Sequence, residues 1–337
     1  MKLTWHRMVY PLRYPFKLSY GTYTERLSYW VRLEQGDGIA WGELSLVPYY
    51  NKSEADIQEQ LQLIQRILET KTDDWTPAAL YDEIHDMESP IDPFVLSAVD
   101  TALYDLYGQL TGQPIWQIVG GSQSVSVESS LTVTQDDWRE KLSWQWPSLK
   151  LKMGFEGDID LIRQIREEYD GSLRIDANGG WIRSDLPANL DVLSSLGVDL
   201  VEQPLAKDRD IDLDGIDTSM ILVADESFQG IDDIERLQPY YKVINIKLQK
   251  CGGITPALRI ISKAKSLGFQ VMAGCMTESS IGIGAMCHLG GHFNYIDLDG
   301  EYIINIDQGV DPFVVRGKIH LSDQPGLGKS FNGILKV

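Results

Sequence analysis

Apolar and polar residues alternate over 3–9 and again over 29–33, the period-two pattern of half-buried strands. Gly36-Asp37-Gly38 reads as a hairpin turn into a third strand over 39–44. At Ser53 the rhythm becomes helical. A serine cap, Glu54 and Asp56 in the first turn, and then Ile57, Leu61, Ile64 and Leu68 fall on one face. Thr76-Pro77 opens a second helix. A third runs from Asp92-Pro93 to about Gln109, with Phe94, Ala98, Ala102 and Leu106 as its apolar stripe, and Gly112 and Pro114 end it. These elements predict an α+β capping domain over 1–115.

The pattern then changes. Eight short apolar runs, most of them β-branched, recur at 125–133, 149–153, 173–176, 200–202, 221–225, 243–248, 269–272 and 295–298. Helical patterns such as 159–169 and 256–267 lie between them. This β-α-β rhythm predicts the α/β class and a (β/α)7β TIM-like barrel over 116–320, with an eight-stranded doubly wound sheet as the rival. The segment 321–337, Gly-rich and then apolar, is expected to pack back on the capping domain.

Composition narrows the setting. With 337 residues and 43% hydrophobic content, the chain can bury a core without disulfides or structural zinc. A net charge of −19 opposes nucleic-acid binding, which wants a basic face. Cys251, Cys275 and Cys287 form no Cys-x-x-Cys pair, and the N-terminus lacks the apolar stretch of a signal peptide. No run approaches the ~20 apolar residues of a membrane span. The expectation is a cytoplasmic protein with no membrane partner, and a homo-oligomer is left open.

Charged residues sit where the barrel runs end. The second run ends in Lys150-Leu151-Lys152, and the third, fourth and fifth end at Asp176, Glu202 and Asp225. The sixth carries Lys247, and the eighth ends in Asp297-Leu298-Asp299. From Lys152 to Lys247 the steps are 24, 26, 23 and 22 residues, each about one strand plus one helix. The charges therefore recur at the C-terminal ends of successive strands, where barrel active sites form. One acid past a strand is an ordinary loop charge; three in consecutive units between lysines are not. Three carboxylates without His or Cys fit Mg²⁺ rather than zinc. Strands two and six face each other across a barrel, so Lys152 and Lys247 would approach a bound carbon from opposite sides. A neighbouring Lys150 and a metal would lower a lysine toward the range of a useful base.

At these residues the sequence resembles the enolase superfamily, its muconate-lactonizing subgroup, and within that the dipeptide epimerases of the L-Ala-D/L-Glu type. The motifs are Lys150-Leu151-Lys152, Asp176-Ala177-Asn178, Glu202-Gln203-Pro204, Asp225-Glu226-Ser227 and Lys247 through Gly253. A Lys or His base with magnesium is a known pairing for enolase-type sites. The resemblance implies that Asp176, Glu202 and Asp225 hold Mg²⁺, with Asn178 in support. It implies that Lys152 and Lys247 are the acid/base pair, inverting the α-carbon of a dipeptide's C-terminal residue through an enediolate. Lys150 would help hold the substrate carboxylate. Asp297 and Asp299 would bind its α-ammonium group, and Thr132 and Met276 would line the pocket.

Tyr23 stands where members acting on Ala-Glu carry an arginine, and a phenol does not replace a guanidinium against a carboxylate. An Ala-containing or hydrophobic dipeptide is therefore expected, and the aromatics Tyr20, Tyr49 and Tyr50 agree. Lys17 or Arg26 could still supply a positive charge, so Ala-Glu stays open. So do other fates of the same proton abstraction: N-acylamino acid racemase, o-succinylbenzoate synthase or cycloisomerase. Their substrates lack the ammonium that Asp297 and Asp299 would bind. A non-catalytic barrel would not need the lysine pair and acidic triad. Gly328-Lys329-Ser330 lacks the first glycine of a phosphate loop, and no histidine ends a barrel run.

Overall fold

This computed structural model describes residues 1–18, 21–72 and 74–331, with 16–18 described as backbone only. The first three strands, β1 (Lys2–Leu18), β2 (Gly21–Gln35) and β3 (Gly38–Leu46), form one antiparallel sheet in sequence order. They run longer than the alternation predicted. Pro11 and Pro15 interrupt the pattern in β1, and its register with β2 shifts between Pro11 and Phe16. One sheet face, with Tyr29, Val31, Leu33 and Leu44, packs on three helices. The other, with Tyr10, Trp30 and Trp41, joins the barrel's core.

The helices are α1 (Glu54–Glu69), α2 (Pro77–His85) and α3 (Pro93–Thr111). Ser53, Thr76 and Asp92 cap them with side-chain acceptors. α1 buries the four predicted positions: Ile57, Leu61, Ile64 and Leu68. α3 is buried on every side rather than along one stripe. It is wedged between β3 and the barrel helix Ile254–Ser266. Gly42 lets α3 approach: a Cβ there would lie 1.8 Å from the Ala98 carbonyl oxygen.

Eight parallel strands follow: β4 (Leu131–Val133), β5 (Ser148–Lys152), β6 (Ser172–Asp176), β7 (Val198–Glu202), β8 (Ile221–Ala224), β9 (Val243–Ile246), β10 (Gln270–Ala273) and β11 (Tyr295–Ile296). They pair in sequence order. A parallel bridge between Ser129 and Ile296 joins the last strand to the first and closes the barrel, which decides against the open doubly wound sheet. The first predicted run, 125–133, is strand only at its end. Outward residues of these strands, such as Leu151, Ile175, Val201 and Ile244, pack in the main core under the helices. Leu200, Val223, Val243 and Met272 form a separate small cluster inside the barrel.

The described part of the C-terminal segment returns to the first sheet and α3. Leu327 N–H donates to Asp105 of α3 (2.8 Å), and the Phe331 ring meets Trp30 at 6.3 Å. Residues 332–337 lie outside the described range. Among the described residues no helix is long and apolar enough to cross a membrane.

Candidate active site

In a strand, side chains two apart share a face. Lys150 and Lys152, Arg174 and Asp176, Leu200 and Glu202, and Val243 and Asn245 therefore share the barrel's inner face, with the charged member nearer the C-terminal end. Register pairs Lys152 with Asp176, and Asp176 with Glu202. Asp225 and Lys247 each stand one residue past β8 and β9.

Backbone pairing continues beyond the strand ends and holds these positions. Met153 N–H donates to the Asp176 carbonyl (2.8 Å), Ala177 N–H to that of Glu202 (3.0 Å), and Gln203 N–H to that of Val223 (2.9 Å). Left-handed backbone at Asn178 (φ 44°) and Gln203 (φ 39°) turns the chain sharply after two of the acids. The Gln203 side chain then ties two loops together. Its oxygen accepts from the N–H groups of Asp225 (3.1 Å) and Ser227 (3.0 Å), and its amide donates to Ser227 Oγ (2.9 Å).

Asp176, Glu202 and Asp225 are buried, with ligand oxygens all within 4.8 Å of one another. That donor set fits a hard divalent cation. Burial and the Asp176 charge push Glu202 up to about 8, so near neutrality the triad carries a proton where a cation would otherwise balance it. Burial works against ionised Asp225 as well. Lys247 and Lys250 outweigh it and hold Asp225 well below the usual carboxylate range.

The lysines sit on both sides of the triad. Lys152 donates to Asp176 (2.6 Å) and Lys247 to Asp225 (2.7 Å). They come from the second and sixth of eight strands, opposite walls of the barrel. Burial disfavours the Lys247 charge, but Asp225 and Glu202 raise it well above its ordinary value. Lys150 lies 3.4 Å from both Asp176 and Glu202 and also pairs with Asp297. Ser130 donates to Asp297 (2.7 Å), and Thr132 N–H donates to Asp299 (2.6 Å). Burial and the Asp297 charge push Asp299 up.

These groups surround a cavity of about 90 Å³ under the first sheet. Thr132, Lys150, Lys152, Asn178, Asp225, Lys247, Met276, Asp297 and Asp299 line it, together with Tyr49 and Tyr50 from the N-terminal part. Asp176 and Glu202 lie buried behind Lys150 and Lys152. Asn178 supports Asp176 through its backbone N–H (3.0 Å), and its side chain donates to Glu226 (3.1 Å). Tyr23 is not among the described lining residues. Arg26, three residues on, lines the cavity with its guanidinium 5.5 Å from the Tyr23 ring centroid. The Lys17 side chain and Tyr20 lie outside what the structure describes.

Three participants were given no role in the sequence reading, although two of them, Lys250 and Glu226, lie inside its motifs. Lys250 is buried and donates to Asp225 Oδ1 (2.6 Å) and to the Asp225 carbonyl (2.6 Å). Its position three residues after Lys247 is the signal that could have found it. Glu226 faces the cavity, and its Oε2 has no hydrogen-bond partner among the described residues. Glu43 of β3 reaches across to the barrel. It accepts from Ser279 N–H (2.9 Å), Ser279 Oγ (2.5 Å) and Gly282 N–H (3.2 Å), at the start of the helix Ser280–Cys287 and just past Met276. A charged residue inside the otherwise uncharged Trp41–Leu44 stretch was its only trace in the sequence. Cys275 also lines the cavity, but burial pushes its thiol well up, which leaves it protonated and a poor nucleophile. Around the cavity four lysines (150, 152, 247, 250) face six carboxylates (176, 202, 225, 226, 297, 299). With Arg26 on the wall, one negative charge is in excess at full ionisation.

Comparison with known proteins agrees with this architecture. Residues 134–333 match the family model described as enolase C-terminal domain-like. Residues 2–120 match the mandelate racemase / muconate lactonizing enzyme N-terminal domain. The chain is 32% identical to an L-Ala-D/L-amino acid epimerase of Maribacter sp., over 91% of this chain and 92% of that one. It is 31% identical to a hydrophobic dipeptide epimerase of Roseobacter litoralis, over 97% and 98%. Its structure superposes on a dipeptide epimerase from Enterococcus faecalis, complexed with Mg and L-Leu-L-Tyr, with a TM-score of 0.87 at 27% identity, covering 97% of this chain and 98% of that one. The chain thus belongs to the mandelate racemase / muconate lactonizing enzyme family, with an enolase-like C-terminal barrel under its N-terminal domain.

Proposed function

We propose that this chain is a Mg²⁺-dependent dipeptide epimerase that inverts the α-carbon of the C-terminal residue of an Ala-containing or hydrophobic dipeptide. The observation that carries this reading is the placement of Lys152 and Lys247 on opposite walls beside a buried acidic triad, with Asp297 and Asp299 lining the same cavity. The relatives' names and the Mg and dipeptide in the E. faecalis complex support it.

Asp176, Glu202 and Asp225 would hold Mg²⁺, which supplies positive charge for the substrate carboxylate as its α-proton leaves. The substrate ammonium lies against Asp297 and Asp299, where a cation meets desolvated carboxylates. Lys150 helps hold the carboxylate end. Neutral Lys152 takes the α-proton, and the C–H electron pair moves into the carboxylate. Charged Lys247 then returns a proton to the opposite face of the same carbon. The reverse reaction exchanges the two roles. Thr132 and Met276 shape the wall. We assign residues 1–115 to the cap, 116–320 to the barrel and 321–337 to a closing segment. The three free thiols support a cytoplasmic setting.

A second reading, Ala-Glu as substrate, draws on Arg26, whose guanidinium lines the cavity. Incubation with dipeptides and Mg²⁺ in D₂O tests both. A one-dalton gain at the C-terminal residue's α-carbon is expected, absent in Lys152→Ala and Lys247→Ala. Exchange with N-acyl amino acids but with no dipeptide would defeat the proposal.

A further inference from the structure

A second cavity, of about 220 Å³, opens beside the first and shares Lys152 and Asn178 with it. Its walls are the loops after β4, β5 and β6, with Pro15 of β1 above. Met153, Phe155, Ala177 and Gly180 give it an apolar lining. Met153 is buried, while Phe155 is 37% exposed, a large aromatic surface left in contact with water. Gly154 and Gly180 bring the last two loops together: a Cβ on Gly180 would lie 2.8 Å from the Gly154 Cα. The floor between the loops is therefore backbone, which leaves room for a guest. Besides Lys152 the only charged side chain among the described lining residues is Asp136.

This cavity lies where a substituent of the reacting carbon must go. In the proposed reaction the carboxylate points to the triad beside β6–β8, and the peptide nitrogen points toward Asp297 and Asp299 beyond β11. Lys152 and Lys247 occupy the two faces between which the proton moves. The one bond left points out of the barrel toward the N-terminal sheet, and it carries the side chain of the residue being inverted. The apolar space next to that exit, reached past Lys152, is this second cavity.

Resting on the epimerase reading, we infer that the second cavity is the subsite for the C-terminal residue's side chain, and that Phe155 selects a branched or aromatic hydrocarbon there. An acidic side chain would find no guanidinium among the described lining residues. A large apolar one would pack on Met153 and cover Phe155, shedding water from the exposed ring.

Relative exchange rates in D₂O with Ala-Ala, Ala-Leu, Ala-Phe and Ala-Glu test this in the wild type, Phe155→Asp and Phe155→Arg. Phe155→Asp is expected to lower the ratio of Ala-Leu to Ala-Ala kcat/KM about tenfold or more. Phe155→Arg is expected to raise the ratio of Ala-Glu to Ala-Leu, a gain that damage to the fold would not produce. Ratios unchanged in both variants, with Ala-Ala still exchanged, overturn the subsite and leave the epimerase reading standing. Loss of Ala-Leu selectivity in Tyr49→Ala but not in the Phe155 variants would move the subsite to the opposite wall and overturn it too. Absence of exchange with every dipeptide removes both readings.

Discussion

Asp100 offers a quantitative test of how the N-terminal domain is joined to the barrel. It lies within α3, fully buried. It accepts from Thr255 N–H (2.8 Å) and Thr255 Oγ (2.9 Å) in the first turn of the barrel helix Ile254–Ser266. These donors favour the charged form, yet burial outweighs them and raises the carboxyl from 3.8 to about 7. Between those values the native state keeps a proton that the unfolded chain has released. Stability from this group is therefore full below about pH 4 and is lost as pH rises toward 7. At ~1.4 kcal/mol per unit over roughly three units, the loss is on the order of 4 kcal/mol. Asp100→Asn removes the titration but keeps the shape and one acceptor. Urea unfolding of both proteins at half-unit steps from pH 4.5 to 8.5 should show the wild type ahead at the acid end. The variant should gain on it steadily up to about pH 7, after which the difference levels off. A constant gap across that range would mean that Asp100 is ionised throughout, and that the Thr255 donors and helix terminus outweigh burial.

Glu43→Ala would leave Ser279 N–H, Gly282 N–H and Tyr10 Oη without their acceptor, so equilibrium unfolding should show a loss of roughly 3–5 kcal/mol. Mg²⁺ must displace the proton that Glu202 holds up to about pH 8, so calorimetry should find affinity rising from pH 6 to 8 with proton release into the buffer. Asp297→Asn should cost dipeptide kcat/KM on the order of 2–4 kcal/mol, while the preference for a free over an N-acetylated amine falls in the same measurement. An unchanged preference would remove Asp297 from ammonium binding. Lys250→Met should weaken Mg²⁺ binding only modestly in titrations but narrow the pH range of folding at the acid end, because Asp225 loses one of the two cations that keep it ionised.

The ladder of charges was legible because barrel geometry repeats. One strand plus one helix returns the chain to the same height, so Lys152, Asp176, Glu202, Asp225 and Lys247 reach one rim from residues nearly evenly spaced. Period two then puts Lys150 on the same inner face as Lys152. Helix caps and the α1 stripe were equally plain, since each depends on neighbours within one turn. What stayed hidden depends on partners far along the chain. Nothing near Glu43 announces Ser279. The burial of α3 on all sides follows from two surfaces supplied by distant segments, which a one-sided stripe could not foretell. The length of β1 was masked by its prolines. Tyr23 was placed by similarity of a loop, part of which lies outside the described residues; Arg26, three positions on, is among the described residues of the cavity wall.

Four buried groups of the N-terminal domain each have a partner in the second half of the barrel or beyond it. Ser45 waits for Gln249, Glu43 for Ser279, Asp100 for Thr255 and Asp105 for Leu327, across gaps of 204, 236, 155 and 222 residues. During synthesis at ~5–20 residues per second, that is roughly 10–50 s in which α3 has left the ribosome without the barrel surface that covers one side of it. Contacts this distant also slow closure once the chain is released. The part of the protein made first is therefore the part that becomes stable last.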